Sequence, residues 1–501
     1  MYIGEVLSLS DFTQRMLGKK GVGAMRKDSF GIVKPKMLAG VIVAVFAFSF
    51  YAAADNGVPP DPGQPGPYAV GHTVYVFNDL SRQTTDSLYG APTTIPRPVP
   101  VYVFYPVDPS SISASTPEAI YPLDPIHPLN PFIGSPLSYS GEWEQQGIDP
   151  AYQKAKGSAD GPFPLVMVSH GWGGHAWTML YLGPRLASHG FVVALVYHYG
   201  DAFWPWEEFD NVGVGLINRP LDVSFALTKL LEMNRIEGAV LHNLVDPDKI
   251  AASGFSFGGY VAAVLAAGDD EACDTAIEAG LSVPPETCVP VPADPRIRAI
   301  LPLDGAHHFL RFSEMARITV PTMGIGEEWD AIPALGLPES WQARLHAASQ
   351  GHPSYRVDIT GTDHSSFSNM CEALPIYLSH RFPEPIAQLL LPLMQQRYCA
   401  APLPPQEIKR LITKYAIAFL KTNLSGEPGY QSVLTSGYAL THEAMVEFFV
   451  TEKGNPQAID KDWPDSFMYF MHQPGSERAN ALKDPIEVAP MPYMGFDSIS
   501  K

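Results

Sequence analysis

Between about residues 70 and 420, short β-branched or apolar runs alternate with stretches of helical spacing. That alternation predicts an α/β sheet protein. His72 to Phe77 and Val99 to Tyr105 read as early antiparallel strands, the second ending at Pro106. Leu165 to Ser169 (LVMVS) and Phe191 to Tyr197 (FVVALVY) are bare apolar runs, the pattern of parallel strands buried on both faces. Leu180 to Ser188, between them, has helical spacing. The pattern then repeats: Asp222 to Leu231 is helical, Ile250 to Ser253 a strand, Gly258 to Ala267 helical, and Ile297 to Leu303 and Thr319 to Ile325 are strands. Arg356 to Ile359 reads as the last strand and Leu411 to Lys421 (LITKYAIAFLK) as an amphipathic closing helix. The expectation is a mostly parallel, doubly wound sheet with flanking helices and loop insertions near 130–160 and 268–295.

The two ends break this pattern. Arg26, Lys27, Lys34 and Lys36 precede the apolar run Met37 to Tyr51, and Ala52 to Ala54 follow it. This is the order of a secretory signal peptide with cleavage near Ala54; the run is short of the roughly 20 residues a membrane span requires. Residues 1 to 24 are atypical of a signal's n-region, which makes Met25 a candidate start. The expected organisation is therefore a signal region over 1–54, a domain over 55–424 and a C-terminal extension over 425–501 of unknown role. Gly437 to Val450 is expected to add one more helix, and no function is assigned beyond Gly454.

Composition narrows the function classes. The 501 residues carry 33 Lys and Arg against 52 Asp and Glu, a net charge of −19. Residues 1–54 hold seven basic and three acidic side chains, so the exported remainder would stand at −23. Such charge repels phosphate backbones and anionic headgroups, which argues against nucleic-acid partners. The four cysteines all follow the signal region. An even count in an exported chain favours disulfides, and local pairing gives Cys273 with Cys288 and Cys371 with Cys399. No C-x-x-C is present for redox or zinc chemistry.

Candidate chemistry lies at the ends of the expected strands. Gly254-Phe255-Ser256-Phe257-Gly258 fits G-x-S-x-G between a strand and a small-residue helix, the tight-turn setting in which a serine nucleophile stands exposed. The backbone N–H of Phe257 would face charge developing beside Ser256. A serine needs a base, and His364 follows the strand Arg356 to Ile359, C-terminal to the serine. Two carboxylates are placed to orient it: Asp304 after Ile297 to Leu303, and Asp330 after the next strand. Spacing alone does not choose between them. His198, His307 and His308 lie near other strand ends, where they would line the pocket. The stretch Tyr197 to Trp206 supplies Trp204 and Trp206 as a candidate wall for an apolar acyl group.

From about Gly66 to Leu420 the chain resembles exported α/β-hydrolases related to platelet-activating-factor acetylhydrolases and dienelactone-hydrolase-like esterases. The matching stretches are Gly66 to Gly71, Val101 to Pro106, Ser169-His170-Gly171-Trp172-Gly173-Gly174, Leu186 to Phe191 and the Ser256 motif. The resemblance implies the α/β-hydrolase fold, with Asp304 as the acid in the acetylhydrolase branch and Asp330 in the polyester-hydrolase branch. It also implies Trp172 as the second backbone oxyanion donor. Dienelactone hydrolases proper use Cys where this chain has Ser256, so lactone opening is not implied. The expected function is a secreted serine carboxylic-ester hydrolase acting on a small-molecule or lipid-like ester, with no metal or cofactor and no integral span in the mature chain. A serine peptidase or amidase of the same fold, and a non-catalytic binding protein, are the alternatives.

Overall fold

The computed structural model describes residues 59–86, 92–122, 137–201, 210–278, 280–327, 341–350 and 353–451. The signal region over 1–54 and the chain beyond Gly454 lie outside the described residues.

Strands β1 (Ala69–Asp86) and β2 (Thr93–Val107) form a long antiparallel hairpin, matching the two early strands but extending both. β3 (Ile120–Pro122) and β4 (Leu137–Tyr139) make a separate ribbon, and β5 (Tyr152–Gln153) pairs with β1. β6 (Phe163–Ser169), β7 (Val192–Val196), β8 (Val245–Phe255), β9 (Ile297–Leu303), β10 (Thr322–Glu327) and β11 (Ser354–Ile359) then run parallel. β12 (Val446–Thr451) joins antiparallel to β11. Among the described residues the main sheet has ten strands, in the order β12-β11-β10-β9-β8-β6-β7-β2-β1-β5. The reversal from β7 through β6 to β8 opens a crevice at the carboxyl ends of the strands, where such sheets bind ligands.

Helix α1 (Ser140–Glu144) precedes β6; α2 (Leu182–Ser188), α3 (Val212–Met233) and α4 (Phe257–Ala267) connect successive parallel strands, and α5 (Ala272–Glu278) follows α4. α6 (Phe312–Met315) and α7 (Trp341–Ala348) flank β10, and α8 (Met370–Arg381), α9 (Glu384–Tyr398), α10 (Pro405–Leu420) and α11 (Ser436–His442) follow β11. Along β6 and β7, Val166, Val168, Val193 and Leu195 share one core with Leu186 of α2 and Leu411 of α10. Their neighbours Leu165, Met167, Val192 and Ala194 share the other with Leu227 of α3 and Val264 of α4. Both faces of the sheet are therefore covered, which is why the strand sequences carry no polar alternate positions.

Three elements differ from expectation. Arg356 to Ile359 lies in β11, which is not the last strand. The helix expected over Gly437 to Val450 is the short α11 followed by β12: Val446 and Phe448 are buried while Glu447 and Phe449 are exposed, a period of two that breaks the helical reading. Phe448 stacks near Tyr355 and Tyr415, with ring centroids 5.8 and 5.5 Å away. The third is α3, which begins at Val212 and runs through Pro220, ten residues before the expected start at Asp222.

The cysteines pair as Cys273 with Cys288 and Cys371 with Cys399, at Cα separations of 5.7 and 5.6 Å. The first staples the excursion after α4, whose ends Asp269 and Val291 bridge to one another. The second ties α8 to the end of α9. Among the described residues no helix is long and apolar enough to cross a membrane.

Candidate active site

Ser256 sits between β8 and α4 at φ 54° and ψ −118°, a conformation that a side chain adopts only under strain. Holding it there costs about 1–3 kcal/mol, supplied by the surrounding packing. The glycines of the motif explain how. A Cβ on Gly258 would lie 2.0 Å from the carbonyl oxygen of Ser169, and one on Gly254 would lie 2.4 Å from that of Gly258. A Cβ on Gly259 would lie 2.3 Å from the Cα of Gly305. Three backbones thus meet at the turn, and only glycine lets them.

The last of those contacts brings in the acid. Ser256 N–H donates to the Leu303 carbonyl at 3.0 Å, Ala306 N–H donates to the Ser256 carbonyl at 2.9 Å, and Asp304 N–H donates to the Ile325 carbonyl at 2.7 Å. Asp304, at φ 43°, therefore turns off β9 directly beside the Ser256 bend, with its side chain buried. His364 arrives from a short turn after β11. Asp363 caps that turn by accepting from the Ser366 N–H at 2.9 Å, and Lys409 of α10 donates to the Ser366 and Ser368 carbonyls at 2.5 and 2.6 Å. One ring nitrogen of His364, Nδ1, is hydrogen-bonded to Asp304 Oδ2. The other, Nε2, lies 2.9 Å from Ser256 Oγ. The His364 side chain is 38% exposed and Asp304 2%, so the chain of contacts runs from the interior to an open end.

The loop after β6 lies against the same bend: a Cβ on Gly171 would lie 3.0 Å from the Phe255 ring and 3.4 Å from the Ser256 Cβ. Trp172 follows directly on this contact with the serine. A buried ion pair fastens the loop from below. Arg219 of α3 donates to the carbonyls of His170 at 2.7 Å and Gly171 at 3.0 Å, and it is paired with Asp201. Asp201 in turn accepts from the Gly173 N–H at 3.2 Å. Burial opposes both charges, pushing Asp201 up to about 6 and Arg219 down, while their mutual attraction works against it.

His198, expected on the pocket wall, is wholly buried beneath this loop. Its Nε2 is 2.8 Å from Ser169 Oγ and its Nδ1 is 3.1 Å from Asp222 Oδ2. The grouping has serine, histidine and aspartate in hydrogen-bonding sequence but no exposed atom, and Asp222 is already bound by Arg97 and Arg82. Burial, with the Arg219 charge, pushes His198 down to about 4, so it is a neutral structural imidazole. His307 is buried against Gly305, and the His308 ring lies tilted beside Phe309 with centroids 4.2 Å apart. Asp330, Trp204 and Trp206 lie outside the described residues.

Arg219 and Asp201, which fasten the loop, and Glu327, which lies beside Asp304, are residues that the sequence reading did not single out. Only Arg219 leaves a trace: it is the first cation of the helix, soon after the apolar run from Val212 to Ile217. An oxygen of Asp304, an oxygen of Glu327 and a ring nitrogen of His364 lie within 4.8 Å of one another. Both ring nitrogens of that histidine are already engaged, by Asp304 and Ser256, so hydrogen bonding accounts for the convergence.

A family model described as platelet-activating factor acetylhydrolase, isoform II, matches residues 136–203. The match takes in β6, the loop through Trp172, α2 and β7. Over these residues the chain is similar to that family, and its mostly parallel sheet with helices on both faces is an α/β architecture consistent with the α/β-hydrolase fold. Two of the stretches that carried the resemblance, Ser169 to Gly174 and Leu186 to Phe191, fall inside it, whereas the Ser256 motif and His364 lie outside. A search of curated proteins finds no match.

Proposed function

We propose that this α/β-hydrolase is an exported serine hydrolase of carboxylic esters, of esterase or acetylhydrolase type. Ser256 Oγ attacks the ester carbonyl as its proton passes to His364 Nε2, and Asp304 holds the imidazole by its other nitrogen and stabilises the imidazolium. The backbone N–H groups of Phe257 and Trp172 receive the oxyanion. His364 returns the proton to the departing alcohol, leaving an acyl group on Ser256. Water, deprotonated by His364, then attacks the acyl-enzyme, and the acid is released as His364 returns that proton to Ser256 Oγ. The observation that carries this reading is the hydrogen-bonded sequence Ser256, His364, Asp304 at a strained turn. The family match supports the ester class, and two cysteine pairs support an oxidising destination.

The test is hydrolysis of p-nitrophenyl esters from acetyl to palmitoyl, set beside peptide anilides, with fluorophosphonate labelling of the folded protein. Ester turnover together with an adduct on Ser256 is the expected result. Faster anilide cleavage would transfer the chain to the peptidases, and a folded protein that takes no label would be a binding protein on this fold.

A further inference from the structure

Glu327 ends β10, one strand from Asp304, and each of the two carboxyl groups is 2% exposed. The pairing of Ile325 with Leu303 fixes them as neighbours. Two carboxylates confined at this distance in the interior repel each other strongly, so one of them keeps a proton. Their partners decide which. Asp304 is hydrogen-bonded to the His364 ring. Glu327 faces the charges of Asp304 and Asp363. An oxygen of Glu327 lies within 4.8 Å of one of Asp304, and burial first, then the Asp304 and Asp363 charges, push Glu327 up to about 10.

Among the described residues, the other charged groups of the neighbouring elements have partners of their own. On β11, Asp358 is paired with Arg356. On α7, Arg344 reaches the Leu310 carbonyl and the Phe312 ring, His346 bonds Ser354, and Gln342 donates to the Glu327 main-chain carbonyl at 2.7 Å. Lys409 of α10 is held by the turn that carries His364.

We propose that Glu327 is a positioning residue of the Ser256 site: as a neutral carboxylic acid it donates a hydrogen bond to the Asp304 carboxylate and fixes the rotamer that presents Oδ2 to His364. This rests on the triad reading above. It has a consequence at high pH. When Glu327 ionises, the hydrogen bond to Asp304 is lost and a second negative charge appears beside it, so turnover falls.

The experiment is a titrimetric ester assay of the wild type, Glu327→Gln and Glu327→Ala from pH 6 to 11. Circular dichroism serves as the folding control, and fluorophosphonate labelling of the wild type is run in parallel. Because glutamine keeps a donor without a proton to lose, Glu327→Gln should stay within about 3-fold of wild-type kcat near neutral pH and lose the alkaline decline near pH 10. Glu327→Ala should lose about 10-fold or more in kcat with KM little changed. A loss of about 100-fold in folded Glu327→Gln, or an alkaline limb unchanged from wild type, would overturn the proposal. Failure of the wild type to label at Ser256 would instead overturn the triad, which keeps the two failures apart.

Discussion

Arg219 holds the carbonyl oxygens of both His170 and Gly171, so a side chain in the middle of α3 sets the position of the loop that carries Trp172. Removing it should act twice. Arg219→Ala leaves Asp201 buried without its cation, a loss of about 3–5 kcal/mol in stability. It also frees the loop that carries Trp172, the proposed second oxyanion donor, so kcat should fall about 10²-fold while KM changes little. Arg219→Lys, which cannot span two carbonyls and a carboxylate, should fall between. Urea midpoints and steady-state kinetics on the folded variants decide it; an unchanged kcat in Arg219→Ala would mean that the loop needs no such hold.

The role of Asp304 is separable from that of the serine. Asp304→Asn should leave the fold intact and lower kcat by about 10³- to 10⁴-fold, because the amide favours the wrong imidazole tautomer. Asp330→Asn should do little. The reverse ranking in an ester assay would transfer the acid's role to Asp330.

The backbone crowding at the bend predicts a size-independent penalty. Gly258→Ala adds only a methyl group, yet it drives that carbon to 2.0 Å from the Ser169 carbonyl oxygen, where no flexible side chain can yield. The strand or the helix must shift, and a loss of more than about 3 kcal/mol is expected by thermal or urea unfolding. Gly437→Ala, at a position with nothing within 4 Å of its Cβ, is the matched control and should be near neutral.

His198 gives a pH prediction. Its folded value, about 4, lies below the ordinary 6.5, so the stability tied to its neutral form is complete above pH 6.5 and is lost as pH falls towards 4. His198→Gln does not titrate. The stability advantage of wild type over this variant should therefore shrink on acidification through that window, by about 1.4 kcal/mol per pH unit. Paired urea denaturation at pH 7.5 and 4.5 measures it, and a gap that widens at low pH would refute the assignment of a neutral imidazole.

No step of the proposed reaction uses a metal. Activity should survive dialysis against a chelator, as measured by ester turnover before and after treatment; loss that is restored by a divalent cation would reveal a site outside this chemistry.

The parallel strands, the hairpin before them and the Ser256 turn were legible because each leaves a local mark: an apolar run, an alternation, or a glycine spacing. His364 was singled out by its place after a strand, and its ring lies against Ser256. The edge strand β12 was not, because six residues after a short helix carry too little periodicity to separate from a continued helix. Glu327 and Asp201 were hidden for a different reason. A buried carboxylate is written with the same letter as a solvated one, and its proton or its cation depends on neighbours brought in by the sheet. The first ten residues of α3 were missed as well, and they include Pro220, a residue that usually opens a helix and through which α3 passes.

The three groups that meet at the bend come from β8, β9 and the far side of β11, and Ser256 and His364 are 108 residues apart along the chain. No fragment shorter than this span can assemble the constellation, and none of its members is local to another. During refolding, helical ellipticity should return first and ester turnover only when the last register of the β8 to β11 ladder is closed, which makes catalysis a late and sensitive reporter of the completed topology.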